Sequence, residues 1–326
     1  MPVLQKDLRW YGSAVMPEDE ATLAIGGAIA TATKPEFIDC NGLVQVISSA
    51  AGDTTQTVTI HYRAASGAIL NEVKTLNGTT AVTYAATMDR LMKLIKSATT
   101  TGDVAVEHQT ATRSNTAQAG AADTITLDAS ASGTDDFYNG QVIRLTGGTG
   151  SGQIRQIIDY VGSTKVAHVS RDWGTNPNGT STFRIAPGCV FDKSPHEITT
   201  IRRPFYGASA DPTGGVTRKY YEKLFAKNGH ATLALLAAQV KEGSDPSTIV
   251  AFGVVATLDD TGTNGGGNNR QVAPGGITFD SADKNMANSA TLTAGAAQGV
   301  WLELTLAVAL AATKTTYLPD LVGNSA

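Results

Sequence analysis

Residues 54–63 read TTQTVTIHYR, and this stretch decides the fold class. Val58, Ile60 and Tyr62 alternate with Thr57, Thr59 and His61, and β-branched residues dominate. Successive side chains of an extended chain point to opposite faces, so this alternation predicts a half-buried strand. Outward from it, Ala64 to Gly67 reads as a turn and Ile69 to Leu76 as the next strand. Asn77-Gly78 is a hairpin signal, and Val82 to Tyr84 follow it. Met88 to Ile95 is short enough to read as a strand, and Val104 to His108 closes the series. Turns recur about every ten residues, the spacing of a sandwich or barrel.

Composition agrees with that reading. Glycine supplies 34 of 326 residues, charged residues 17% and aromatics 6%. A chain so rich in small residues and so poor in charge favours many short strands over long charged helices. A hydrophobic share of 41% argues against disorder of the whole chain. Three consecutive segments follow: a β domain over 1–114, a small β-barrel or sheet over 115–187, and a β-sandwich over 188–326. The second contains the strands Thr124–Leu127, Gln141–Thr146, Gln153–Tyr160, Lys165–Ser170 and Thr182–Ile185. The third contains the clearest alternation, Gly299 to Leu310, with Leu302, Leu304 and Leu306 facing one way and Trp301, Glu303 and Thr305 the other. Ala231 to Val240 and Ile249 to Leu258 are of strand length. Arg218 to Asn228 alternates poorly and reads as an amphipathic helix ending at Asn228-Gly229. Thr261 to Arg270 reads as an exposed loop, and the tail beyond Pro319 as surface-bound or loosely ordered. Trp10 to Ala14 and Phe205 to Ser209 echo each other weakly. The predicted class is all-β, with two or three sandwich or small-barrel domains in tandem.

Net charge is -4 with scattered Lys and Arg, so no basic face points to nucleic acid. The longest apolar run, Leu302 to Ala312, is too short to span a bilayer, and the N-terminus lacks a secretory h-region. Cys40 and Cys189 read as two buried thiols. His61, His108, His168, His196 and His230 show no metal-ligand spacing and read as structural. Glu18-Asp19-Glu20, Asp135-Asp136 and Asp259-Asp260 read as solvated turn residues. Gly147 to Gly152 lacks the lysine of a phosphate loop and precedes a strand, so it reads as a hairpin tip. No catalytic residue, metal or cofactor is predicted.

One set of stretches carries more specific information. Phe137-Tyr138-Asn139-Gly140, Ile143 to Gln153, Arg155 to Tyr160, Thr164-Lys165-Val166 and Asp172 to Pro177 together resemble a module of tailed-bacteriophage virion proteins. Ala51 to Thr59 and Thr75 to Thr80 look like the β-rich front half of such proteins. Gln298 to Leu306 looks like the last strands of immunoglobulin-like virion domains, and under that resemblance Arg218 to Asn228 becomes a strand. The resemblance implies a non-enzymatic virion protein of the capsid decoration or cement type, assembled in the bacterial host cytoplasm. Its partners would be the major capsid protein, neighbouring virion proteins and copies of itself, with neither nucleic acid nor membrane. A tail or baseplate component and a glycan-binding tailspike module are the competing readings. The candidate interface is the N-terminal arm, where Val3, Leu4, Leu8 and Trp10 are apolar residues broken by Lys6, Asp7 and Arg9. The competing reading of that arm is that it packs on its own domain.

Overall fold

Alternation becomes burial in the strand Thr57–Arg63. Val58 and Ile60 are fully buried, and Thr57, Thr59 and His61 are half-buried on the other face. The computed structural model describes every residue except 1, 20–21, 38–39, 194–196, 212, 266–268 and 311–316. The protein is nearly all β, with 49% strand and 3% helix, so the predicted class holds. The chain forms two compact units, Met1–Phe37 with Arg202–Ala326, and Ile38–Ile201. The first is discontinuous in sequence, whereas the segments read from the sequence follow chain order.

In the Ile38–Ile201 unit, one sheet runs in the order Gly188–Phe191, Val104–His108, Val44–Ser48, Val82–Thr83. In another, Arg90–Lys96, Thr57–Arg63 and Ile69–Thr75 are successive antiparallel strands, with Ile69–Thr75 at the edge. Tyr84 ties the two sheets together. Its N–H donates to Val44 O (3.0 Å) and its hydroxyl to Val58 O (2.8 Å).

The rest of this unit is one seven-stranded sheet. Its order is Arg113–Thr116, Thr182–Ala186, Val142–Gly147, Ile154–Val161, Val166–Val169, Thr124–Thr126, Ala119–Gly120. The two edge strands are separated only by Ala117 and Gln118, so their facing ends lie within about 11 Å of each other along the chain. The sheet must therefore curl into a small barrel. Ala117 N–H donates to Ser181 O and Gln118 N–H to Thr126 O, which ties that corner to both sides. Ile125, Leu127, Ile143, Leu145, Ile157, Tyr160, Phe183 and Ile185 fill the interior.

In the other unit, a six-stranded sheet runs Val250–Leu258, Ala297–Leu306, Arg218–Asn228, Leu8–Val15, Ala24–Ala30, Thr263–Gly265. A three-stranded sheet runs Lys284–Asn285, Leu235–Ser244, Leu318–Ser325. Tyr220, Leu224, Val300, Leu302 and Leu304 of the first meet Leu235, Ala238 and Val240 of the second in one apolar core. Ile25, Tyr221, Val255 and Trp301 form a smaller cluster with Ile277 and Phe279.

Four expectations are corrected. Arg218–Asn228 is not the helix its own pattern suggests but a strand, as the resemblance implies, paired with Ala297–Leu306 from Arg218↔Leu306 to Lys227↔Ala297. Both of its faces are buried, and each carries a charged residue, Glu222 or Lys223, among apolar neighbours, which erases the alternation. Of the two readings of the tail, the loose one is excluded, since Leu318–Ser325 pairs with Leu235–Ser244. Within 261–270, Thr263–Gly265 is a short edge strand on Ala24–Gly26, and Arg270 is wholly buried; residues 266–268 lie outside the described residues. Asn77-Gly78 makes a turn bridged from Asn77 to Thr80, but Ile69–Thr75 and Val82–Thr83 belong to different sheets. That turn requires glycine, because φ at Gly78 is +55° and an added Cβ would lie 2.5 Å from Ala51 O. The echo has no structural counterpart: Trp10 to Ala14 is strand, whereas Phe205 to Gly207 is turn.

Candidate functional site

The structure places all four arm residues in contact with their own unit. Leu8 and Trp10 belong to the strand Leu8–Val15, which sits inside the six-stranded sheet, with Leu8 opposite Asn228 and Trp10 opposite Ala226. Val3, Leu8 and Trp10 pack half-buried against the apolar core, and Trp10 meets Phe37 edge-on at 6.2 Å. Val3 N–H donates to Ser325 Oγ (2.8 Å). Leu4, also half-buried, donates its N–H to Asp7 Oδ2 (2.8 Å), and Gly229 N–H reaches Asp7 O (2.7 Å). This is the arrangement in which the arm belongs to its own core.

The titratable residues singled out from the sequence hold local structure. His230 Nδ1 accepts from Thr232 and Leu233 N–H, and His108 Nδ1 accepts from Thr110 N–H. His61 and His168 lie on strands, and His196 and Glu20 lie outside the described residues. Asp135 accepts from Gly162 N–H, Asp136 from Asn139, and Asp259 from Ala297 N–H. Cys40 and Cys189 are buried and form no disulfide. Among the described residues, no group of three or more His, Cys, Asp or Glu could hold a metal ion, and no helix is long and apolar enough to cross a membrane. Gly147 to Gly152 closes the hairpin between Val142–Gly147 and Ile154–Val161. Gly148 has φ +70°, and a Cβ there would sit 1.9 Å from Thr180 O, so the tip is packed against its neighbour.

The sequence reading missed a set of buried ion pairs. The strand Val104–His108 meets the barrel along Asp103, Ala105 and Glu107, which share one face by the two-residue period. Ala105 belongs to an apolar patch with Ile47, Val142, Ile154 and Val190. On either side of it stands a carboxylate between two arginines of the barrel. Asp103 pairs with Arg155 (2.8 Å) and Arg171 and accepts Lys193 N–H (3.1 Å). Glu107 pairs with Arg184 (2.9 Å) and Arg144 (3.2 Å) and accepts from Gln45 (2.9 Å). Arg155 also stacks on Trp173 and donates to Arg171 O and Asp172 O. Burial raises the Asp103 carboxyl above the ordinary carboxylate range even though Arg171 and Arg155 pull it down. Burial likewise lowers the Arg155 and Arg184 guanidinium groups.

The other unit has its own pairs. Arg202 bonds Glu222 and Pro17 O, and Glu222 accepts Phe205 N–H (2.7 Å). Lys223 bonds Asp260, Gly27 O (2.9 Å) and Gly262 O (3.0 Å). Burial lowers the Lys223 ammonium. Burial also opposes ionisation of Asp260, but bonds from Lys223 and Gly262 N–H and the Lys223 charge hold its carboxyl below the ordinary range. Spacing along the chain gives no signal for these pairs, because each joins residues far apart in sequence.

No protein-family model, curated protein or solved structure matches this chain. The outer surface is the remaining candidate for recognition. Among the described residues, large apolar side chains are exposed at ten positions, and three of them, Ile69, Leu70 and Val73, fall on one edge strand.

Proposed function

We propose that this chain is a structural protein of a tailed-phage virion, of the decoration or cement type, which binds the outside of the head and reinforces it. One observation carries the reading: the stretches from Phe137 to Pro177 that resemble a virion module lie within one small barrel with its own apolar core. The barrel is braced to the adjoining sheet by two carboxylates and four arginines, a rigid join suited to a part that bears load. A cement protein works through repeated surfaces and needs no chemistry of its own, so buried charge spent on bracing fits that role. The major capsid protein and further copies of the chain would be its partners.

Gold-labelled antibody against the full chain, applied to particles of the phage that encodes it, tests the proposal. Label over the head is expected. Label confined to the tail tip or baseplate would overturn the cement reading in favour of a tail component, and unlabelled intact particles would overturn the virion assignment.

A further inference from the structure

The edge strand Ile69–Thr75 has the chemistry of a self-complementary interface. Among the described residues it pairs on one side only, with Thr57–Arg63, from Thr57↔Thr75 to Arg63↔Ile69. Leu76 N–H donates to Gln56 O and Ala64 N–H to Ala68 O, both at 2.9 Å. In an antiparallel ladder the hydrogen-bonded pairs recur every second residue. Those two bonds therefore turn the backbones of Leu70, Glu72 and Lys74 toward Thr57–Arg63, and those of Asn71, Val73 and Thr75 toward the open edge. An open row of N–H and C=O groups is a template for another strand. Its apolar side chains are also uncovered, with Ile69 42%, Leu70 47% and Val73 51% exposed.

We infer that this edge pairs antiparallel with the same edge of a second copy, about a two-fold axis through Val73. The charges select the register. Centred on Val73, Asn71 stands opposite Thr75 of the second copy and Val73 opposite Val73, all with outward-facing backbones. Glu72 then stands opposite Lys74 of the second copy, and the reverse pair follows by symmetry. A register centred on Glu72 sets two glutamates opposite each other, and one centred on Lys74 sets two lysines; like charges directly opposite are destabilising. Glu72 is held in place for this role. It accepts from Ala85 N–H (3.0 Å) and Ala86 N–H (3.1 Å) and pairs with Lys74 at 2.9 Å. Dimerisation would extend that ladder of alternating charge across the axis and join the two sheets into one. The inference stands on the edge geometry alone and does not depend on a place in a virion.

Light scattering on the full chain tests it. The protein should associate to twice its 33.8 kDa mass. Val73→Lys sets like charges across the axis and should weaken association by at least about tenfold. It should leave the circular dichroism spectrum unchanged, because this side chain is half exposed and lies on an edge strand. Val73→Cys should form an interchain disulfide under mild oxidation, since the native thiols are buried; Leu236→Cys, exposed in the other unit, should not. A monomeric parent chain, a dimer indifferent to Val73→Lys, or crosslinking at Leu236→Cys as fast as at Val73→Cys would each overturn the inference.

Discussion

In one unit, the strand Val104–His108 meets the barrel with Asp103, Ala105 and Glu107. In the other, the strand Ala297–Leu306 meets its facing sheet with Val300, Leu302 and Leu304. Both joins bury one face of a strand, but they do so by different physics. The apolar join gains from removing surface from water, about 25 cal/mol for each Å². The ionic join removes charge from water and recovers that loss through pairing, so its net gain is small while the loss on breaking it is large. The apolar face tolerates substitutions of similar volume, whereas the ionic one specifies which arginines must be present.

The largest effect expected from this contrast is at Asp103. Asp103→Ala leaves the buried Arg155 and the half-buried Arg171 beside an empty position and should destabilise the protein by about 3–5 kcal/mol in chemical denaturation. Replacing all three together, Asp103→Leu with Arg155→Met and Arg171→Met, should recover most of that loss. A triple variant no more stable than Asp103→Ala would show that the pairing is not the cause.

Leu302→Ala sharpens the other side of the comparison. Leu302 is fully buried, so its truncation should cost about 2–5 kcal/mol through lost transfer energy and a residual cavity. No second substitution of a charged partner should rescue it. A rescue by altering Glu222 or Lys223 would mean that this core is not purely apolar in its energetics.

A smaller effect is expected at the barrel tip. Gly148→Ala places a methyl against Thr180 O at a positive φ, and strain of this kind costs on the order of 1–3 kcal/mol. A melting temperature equal to that of the parent would show that the tip moves aside freely.

Acid titration gives the smallest and most discriminating difference. A hydrogen bond from Arg113, with its charge, holds the Asp128 carboxyl below the ordinary range. The stability it contributes is complete above the unfolded value of about 3.9 and is lost as pH falls through the lower folded value. Asp103 has the opposite sign: its folded value is raised, so its contribution declines as pH rises from the ordinary value through the raised one. Asp128→Asn should make the acid limb of melting temperature against pH shallower. Leu302→Ala should lower the whole profile without changing its shape.

The same contrast explains what the sequence disclosed. Thr57–Arg63 and Ala297–Leu306 were legible because each carries at least one clean run of alternating side chains. Arg218–Asn228 was not, because Glu222 and Lys223 are buried among aromatics and find Arg202 and Asp260 far along the chain. The tail, Leu318–Ser325, hides for a related reason: its partner strand lies about eighty residues earlier. Gly147 to Gly152 was legible as a hairpin tip from its glycines and the strand that follows. The arm residues Val3, Leu4, Leu8 and Trp10 were legible as apolar, yet composition cannot say whether an apolar strand docks on its own sheet or on a neighbour. The seam arginines Arg144, Arg155, Arg171 and Arg184 looked scattered because only the barrel's curvature gathers them on one side.

Hydrogen exchange on the full chain, comparing the parent with Asp103→Ala, tests most directly whether the seam is ionic. Protection should fall first in Val104–His108 and Ile154–Val161, the strands the seam joins, while Ala297–Leu306 keeps its protection. Equal loss in all three strands, or earlier loss in Ala297–Leu306, would contradict a barrel held to its sheet by Asp103 and its arginines.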